Sequence, residues 1–174
     1  YLLNPREDGP ALRRYLQAGE QSGVPLRYLP SHRPVWYLPE KRAAADIWVA
    51  AFSRATLKCL LNTSSAKSLT CFHGLYAQTN YENLGPLMTL YLNSSWGRQA
   101  FLRVNRFYGD GLNKLEPKDL EALPCPEMPK QTAREAANLR RQLVAMERLP
   151  VAQRRQAVDR LTSTWLDVPG ALEI

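Results

Sequence analysis

The stretch 103–126 reads RVNRFYGDGLNKLEPKDLEALPCP, and the rest of the chain is organised around it. A basic and aromatic cluster, Arg106-Phe107-Tyr108, stands near its start. Gly109-Asp110-Gly111 then predicts a tight turn, and the alternating apolar and polar residues after it predict strand-like segments. We interpret this stretch as a loop that presents arginines and an aromatic ring to a ligand.

Only part of the stretch is expected to touch that ligand. Glu116 is interpreted as a turn or cap residue ahead of a short helix. Four apolar residues are expected to be scaffold: Leu112, Leu115, Leu120 and Leu123. The remaining candidates for contact are Arg103, Arg106, Tyr108 and Lys114.

The chain has 174 residues and a formal charge of +7. This excess of Lys and Arg favours a polyanionic partner, with nucleic acid ahead of a membrane surface. No apolar run approaches the ~18–20 residues that span a bilayer, and no secretory signal is visible. The three cysteines form no CxxC pair, which is typical of reduced thiols in a cytoplasmic protein. The first residue is Tyr1 and not Met, which leads us to expect a fragment of a longer polypeptide.

The first third of the chain predicts a helix followed by an extended segment. Leu12, Tyr15 and Leu16 have helical spacing within residues 9–22, and Gly19 and Gly23 are expected stop signals. Four prolines punctuate residues 24–40 and predict short edge strands and turns. In this segment Arg33, Trp36 and Tyr37 either plug the core with aromatic rings or form a contact surface for phosphate and a base.

The middle of the chain predicts strands. Residues 46–53 form an apolar, bounded run, residues 54–62 alternate, and residues 68–73 are rich in β-forming types until Gly74 ends the run. The polar loop 62–67 lies between them, where binding groups tend to occur. Arg54, Lys58 and Lys67 are its candidate cations, and His73 is interpreted as a satisfied strand histidine.

Helical spacing returns after residue 83. It predicts two helices that meet near Asn93-Ser94-Ser95, and a helical pair over residues 130–166 in which Pro150 opens the second helix. The sequence therefore predicts the α/β (α+β) class, with a mixed or antiparallel sheet of short strands flanked by helices and a C-terminal helical hairpin. We divide the chain into residues 1–128 and this hairpin, 129–174, which packs on them or on a partner domain.

No catalytic constellation is visible. The chain has no phosphate-binding glycine loop and no GxSxG elbow, and Cys59, Cys71 and His73 fall short of the four ligands of a structural zinc. Asp110, Glu116 and Lys118 resemble the acidic and lysine residues of Mg-dependent nucleases, although Pro117 interrupts their spacing. The alternative is that residues 116–119 form a turn and helix cap.

Residues 106–120, RFYGDGLNKLEPKDL, resemble the C-terminal specificity region of bacterial adenine-N6 DNA methyltransferases, which commonly carry R-x-Y-G-x-G-L-x-K-L-E-P-x-D-L-x-x-L-P-x-P. The similarity extends upstream through residues 15–20 and 33–37 and includes Leu92-Asn93-Ser94. It implies a target-recognition domain, similar to those of TaqI-like enzymes and of type I restriction specificity subunits. In the family such a domain holds duplex DNA while a separate domain methylates a flipped adenine from S-adenosylmethionine.

The resemblance also implies what this chain lacks. The Asn/Asp-Pro-Pro-Tyr/Phe catalytic tetrapeptide and a glycine-rich cofactor motif are absent from its sequence. We therefore expect the chain to bind double-stranded DNA without a cofactor of its own, beside an upstream catalytic methyltransferase domain of a bacterial restriction-modification enzyme. The candidate DNA-binding residues are Arg33, Trp36, Tyr37, Arg54, Lys58, Lys67, Arg103, Arg106, Tyr108 and Lys114. Two alternatives remain: a protein-interaction module that works through the hairpin, and a Mg-dependent nuclease.

Overall fold

The computed structural model describes residues 8–38, 42–54, 57–68, 70–104 and 106–168. The chain divides into two units, Tyr1–Ala43 and Ala44–Ile174. Both small sheets of the fold lie in the second unit.

The first unit begins with helix α1, Pro10–Gln21, which confirms the helix predicted over residues 9–22. Proline suits its first position because the ring presets the helical φ angle. The helix ends ahead of Gly23, whose φ of 68° is the left-handed conformation that commonly terminates helices. Gly19 does not stop the helix. Instead the Trp36 ring approaches it so closely that a Cβ there would lie 2.7 Å from the ring.

The prediction of edge strands over residues 24–40 is wrong for the described part of that segment. It forms a 3₁₀ turn, Val24–Leu26, and a short helix α2, Tyr28–Ser31. Pro25 and Pro30 both lie in a first turn, where backbone N–H groups have no intrahelical acceptor. A missing N–H is therefore harmless at these positions. Pro39 lies outside the described residues.

The first sheet of the second unit places strand β1 in its centre. β1, Ile47–Ala50, pairs antiparallel with β3, Cys59–Leu61, and with β4, Phe72–Leu75. The predicted alternation is confirmed in β3, where Cys59 is buried and Leu60 is exposed. The prediction that Gly74 ends the strand is wrong, because it pairs with Trp48 inside β4. A Cβ at this glycine would lie 2.9 Å from that of Ala45, so the strand needs glycine for close approach.

The second sheet has the order β2-β6-β5, with β2 at Phe52–Ser53, β5 at Arg106–Tyr108 and β6 at Leu112–Lys114. All of its pairings are antiparallel. The chain passes from β1 to β2 through Ala51, whose N–H donates to the Cys71 carbonyl and whose carbonyl accepts from the Leu115 N–H, both at 3.0 Å. Two antiparallel sheets with helices around them confirm the α+β class.

Five helices complete the second unit: α3 Gly85–Asn93, α4 Ser95–Val104, α5 Pro117–Glu121, α6 Ala133–Met146 and α7 Val151–Trp165. The predicted junction near Asn93-Ser94-Ser95 is confirmed, and Ser94 caps α4 by accepting the Gly97 N–H at 3.2 Å. None of the helices in the described ranges combines the length and apolar character needed to cross a membrane.

The predicted C-terminal helical hairpin is confirmed as α6 and α7, with Pro150 as the N-cap of α7. Both helices pack against α3, whose Leu87 and Leu90 are fully buried. Leu139 of α6 and Val158 of α7 belong to the same core. The domain boundary at residue 128 stays a prediction.

Gly97 allows α3 and α4 to approach each other. A Cβ at this position would lie 2.2 Å from the Tyr91 carbonyl oxygen and 2.8 Å from the Leu92 Cα. We expect Gly97→Ala to lower the free energy of unfolding by about 1–3 kcal/mol in urea denaturation, because backbone atoms must move apart.

The matched control is Gly109→Ala, where nothing lies within 4 Å of the new Cβ. Its effect should stay within about 0.5 kcal/mol. Equal effects of the two substitutions would contradict this account of the junction between α3 and α4.

Candidate nucleic-acid interface

The second sheet brings together several of the residues expected to contact DNA. Its register places Phe52 opposite Lys114, and Lys114 opposite Arg106. Residues directly opposite each other share a face of a sheet, and Tyr108 joins them because it follows Arg106 by two positions. We call Phe52, Arg106, Tyr108 and Lys114 the basic-aromatic face.

Aromatic rings stand in the open on this face. Phe52 and Tyr108 are each 49% exposed, and the Lys114 ammonium lies 5.9 Å from the centre of the Phe52 ring. Phe107, on the opposite face, is 69% exposed. In a DNA complex, an exposed ring can contact the apolar parts of bases, and a cation beside it can contact the phosphates.

The turn between β5 and β6 is tight, as predicted. Tyr108 and Leu112 pair across a turn of three residues, Gly109–Gly111. Asp110 and Gly111 have φ angles of 59° and 67°. Glycine adopts this left-handed region freely, and aspartate tolerates it better than most residues. The hairpin therefore ends in a compact tip.

Both cations of the face are paired with carboxylates of the segment that follows. The Arg106 Nη2 lies 3.2 Å from the Asp119 Oδ1, and the Lys114 ammonium forms an ion pair with Glu116. The hydrogen bond from Lys114 lowers the pKa of the Glu116 carboxyl and raises the pKa of the Lys114 ammonium. The positive charge of this face is thus locally balanced.

Asp119 has a second task, because it caps helix α5. Its Oδ2 accepts the Glu116 N–H at 2.8 Å, and this bond lowers the pKa of its carboxyl, with a smaller contribution from Arg106. The prediction that Glu116 and its neighbours form a turn and helix cap is confirmed. Of the two carboxylates proposed for a nuclease, Glu116 therefore serves the cap of α5 and an ion pair with Lys114, and Asp110 lies in the tight turn.

Three of the four leucines predicted as scaffold are part of the core or pack against it, and the role of Leu112 stays a prediction. Leu115 is 1% exposed, and Leu120 and Leu123 pack against the core. The His73 Nε2 donates to the Leu115 carbonyl at 2.7 Å, which confirms its interpretation as a satisfied strand histidine. These contacts fix the hairpin to the core of the unit.

The other candidates of the second unit lie around this sheet or beside the first one. Arg103 occupies the last turn of α4, and Arg54 is exposed just after β2. Lys58 and Lys67 are exposed next to β3 and in the polar loop after it. Asn62 orders that loop by donating to the Ala66 carbonyl at 3.1 Å and accepting the Ser64 N–H at 3.1 Å.

Arg33, Trp36 and Tyr37 belong to the first unit. The Trp36 and Tyr37 rings meet edge to face at 5.5 Å, and Trp36 also packs on Gly19. The Arg33 guanidinium donates to the Leu38 carbonyl at 3.4 Å. Both rings are partly buried inside this unit. A contact of these three residues with DNA stays a prediction.

Sequence reasoning missed Phe52 and Phe107 as exposed rings. The run 46–53 predicts a buried strand, and Ile47, Val49 and Ala51 are indeed buried. Phe52 has an even number, so it points to the opposite side of the strand from these three residues and is exposed. This alternation could have been read from the sequence. No group of three or more His, Cys, Asp or Glu able to hold a metal occurs among the described residues.

The comparisons with known proteins identify the family. Residues 1–161 match the family described as Type II methyltransferase M.Eco57I, C-terminal domain. The chain belongs to this family. Its membership confirms the methyltransferase resemblance of the central stretch.

Two relatives support this assignment. The chain is 35% identical over 130 residues to Type II methyltransferase M.AccI of Acinetobacter calcoaceticus, covering 72% of the chain and 24% of the relative. It is 26% identical over 123 residues to Type II methyltransferase M.XamI of Xanthomonas campestris pv. amaranthicola, covering 71% and 23%. The match thus spans about a quarter of each relative's length. No solved structure gives a significant match.

The cap formed by Asp119 makes a prediction about pH. Its folded-state pKa is lowered below the ordinary 3.8, so its stabilisation is present above that value and is lost as the pH falls through the folded-state pKa. We expect Asp119→Asn to lower the thermal unfolding midpoint at pH 7, with the difference from the unmodified chain shrinking below pH 3.8.

Circular dichroism melts from neutral to acidic pH measure this difference. Glu121→Gln, which changes an exposed carboxylate at the end of the same helix, is the control and should leave the midpoint nearly unchanged. A difference that persists undiminished at the most acidic pH would contradict the assignment.

Proposed function

We propose that this chain is the target-recognition domain of a Type II adenine-N6 DNA methyltransferase and that it binds double-stranded DNA sequence-specifically. Membership of a methyltransferase C-terminal domain family is the observation that carries the proposal. The chain lacks the catalytic tetrapeptide, which supports a role other than methyl transfer. S-adenosylmethionine and methyl transfer are assigned to an upstream catalytic domain of the parent enzyme, in the bacterial cytoplasm.

The geometry of the second sheet supports entry into the major groove. A two-stranded β-ribbon fits that groove. β5 and β6 form a hairpin with a compact tip, and the two-residue strand β2 pairs along the other edge of β6. On its basic-aromatic face, Arg106 presents donors that suit the O6 and N7 acceptors of guanine. Phe52 presents an apolar surface that suits a thymine methyl group.

Binding requires the two cations to exchange their carboxylate partners for DNA. When Arg106 leaves Asp119, the carboxylate keeps its bond to the Glu116 N–H, so the cap of α5 survives the exchange. An exposed ion pair contributes only about 0–1 kcal/mol, whereas a good bidentate contact with the right base contributes about 1–3 kcal/mol. The exchange therefore favours sites that offer the correct base edge and disfavours others.

A salt titration tests the proposal. Fluorescence anisotropy of the chain with a pool of random duplexes and with duplexes enriched by selection gives the dissociation constant between 50 and 200 mM salt. We expect the logarithm of the association constant, the reciprocal of the dissociation constant, to fall linearly with the logarithm of the salt concentration. We expect the enriched duplexes to bind at least ~10³-fold more tightly than the random ones. A slope near zero overturns DNA binding and leaves the protein-interaction module in its place.

Two matched substitutions locate the contact. Lys114→Gln should reduce the magnitude of the salt slope by about one, because one phosphate contact is lost. Lys118→Gln removes the same charge from an exposed position of α5 and should leave the slope unchanged. Equal effects of the two substitutions would contradict the assignment of the basic-aromatic face.

A further inference from the structure

The C-terminal hairpin is basic. Residues 129–174 contain eight Lys or Arg and five Asp or Glu, which gives a formal charge of +3 out of the total +7. This segment lies outside the central stretch and outside the basic-aromatic face. Its charge therefore needs its own explanation.

Three arginines of the hairpin recur at intervals of seven residues, which is close to two helical turns: Arg134, Arg141 and Arg148. All three are exposed, and Arg134 and Arg141 lie on the side of α6 opposite the buried Ala136 and Leu139. Arg148 lies in the turn just after α6 ends at Met146. We call these three residues the arginine row. Arg134 and Arg141 are about 10 Å apart along the helix axis.

In the part of the chain that the structure describes, the carboxylates of the hairpin form no ion pair with this row. Glu135 accepts the Thr132 N–H at 2.8 Å at the start of α6, and hydrogen bonds from Thr132 lower the pKa of its carboxyl, with a smaller contribution from the nearby charge of Arg134. Asp159 accepts the Ser95 N–H at 2.7 Å and so joins α7 to α4. Among the described residues, no carboxylate lies within ion-pairing distance of any arginine of the row. The row thus differs from Arg106 and Lys114, whose charges are paired.

The surface between the arginines is built from short side chains. Ala137, Asn138 and Ala145 lie on the same exposed side of α6, and Asn138 accepts a hydrogen bond from Arg141 at 3.4 Å. Val144, between Arg141 and Arg148, is 47% exposed. A protein partner is usually held by several buried aromatic or large aliphatic anchors, and these four residues offer one valine. A line of guanidinium groups over a smooth surface suits phosphate groups, which arginine binds with two parallel donors.

We propose that the arginine row binds the phosphate backbone of duplex DNA outside the base pairs read by the basic-aromatic face. This inference rests on the proposed DNA-binding function and adds a second surface to it. The row supplies affinity that is independent of sequence, while the hairpin of β5 and β6 supplies the preference for particular bases. Each phosphate contact adds about 0.9 to the magnitude of the salt slope.

The test removes the row and compares it with a charge-matched control. The variant R134Q/R141Q/R148Q replaces the row. The control R140Q/R155Q/R160Q removes three other exposed arginines of the helical hairpin, one from α6 and two from α7. The salt titration with random and enriched duplexes is repeated on both variants, and circular dichroism checks that each one folds.

We expect the row variant to reduce the magnitude of the slope by about 2.7 and to weaken binding to random and enriched duplexes by the same factor. The factor by which its affinity for DNA falls between 50 and 200 mM salt would be roughly 40-fold smaller than for the unmodified chain. The control should change the slope by less than about one. A third variant, R134K/R141K/R148K, keeps the charges and should retain most of the slope.

The outcomes separate this inference from the proposed function. If the unmodified chain binds duplexes but the row variant keeps its slope, or the control loses as much as the row variant, only the arginine row is overturned. If the unmodified chain shows no salt-dependent DNA binding, the proposed function fails and this inference fails with it.

Discussion

The hydrogen bond from the Leu115 N–H to the Ala51 carbonyl joins the two sheets of the second unit, and the basic-aromatic face depends on it. Ala51 is buried, and its own N–H donates to Cys71 beside the first sheet, so one residue serves both sheets. His73 adds a second link by donating to the Leu115 carbonyl. Because Leu115 is itself buried, the hairpin of β5 and β6 is fixed to the core and is more than a loop. A fixed hairpin can hold its side chains in the positions that base recognition requires.

Helix α3 is the second element that holds the second unit together, because it contacts β3, α4, α6 and α7. The Asn93 side chain at its end donates to the Cys59 carbonyl at 2.8 Å and accepts the Cys59 N–H at 3.3 Å, so it extends the edge of β3. Ser94 caps α4 in the next position. The Leu-Asn-Ser tripeptide of the family resemblance therefore has a structural task. Helices α6 and α7 pack against other sides of α3. The side of α6 that faces away from α3 is exposed, and it carries Arg134 and Arg141 of the arginine row.

The two basic surfaces differ in how their charge is compensated. Arg106 and Lys114 are paired with Asp119 and Glu116, so they attract phosphates weakly until a better partner displaces the carboxylates. The arginine row has no such partners among the described residues. In the proposed function, the arginine row attracts DNA of any sequence, and the hairpin of β5 and β6 distinguishes one base sequence from another. Affinity and specificity would then be adjustable separately, because each rests on its own surface.

The sequence by itself determined the local features of this protein. Helical spacing located α1, α3, α4, α6 and α7, two glycines around Asp110 determined the tight turn, and the Leu-Glu-Pro stretch identified the family. Each of these depends on residues close together in the chain. The tertiary structure decided what depends on distant partners. Pro25 and Pro30 entered helical turns, Gly74 stayed within a strand beside Ala45, and Phe52 came to pair with Lys114 of a second sheet. The pairing of Arg106 with Asp119 was equally hidden, because it arises only when β5 lies beside the cap of α5.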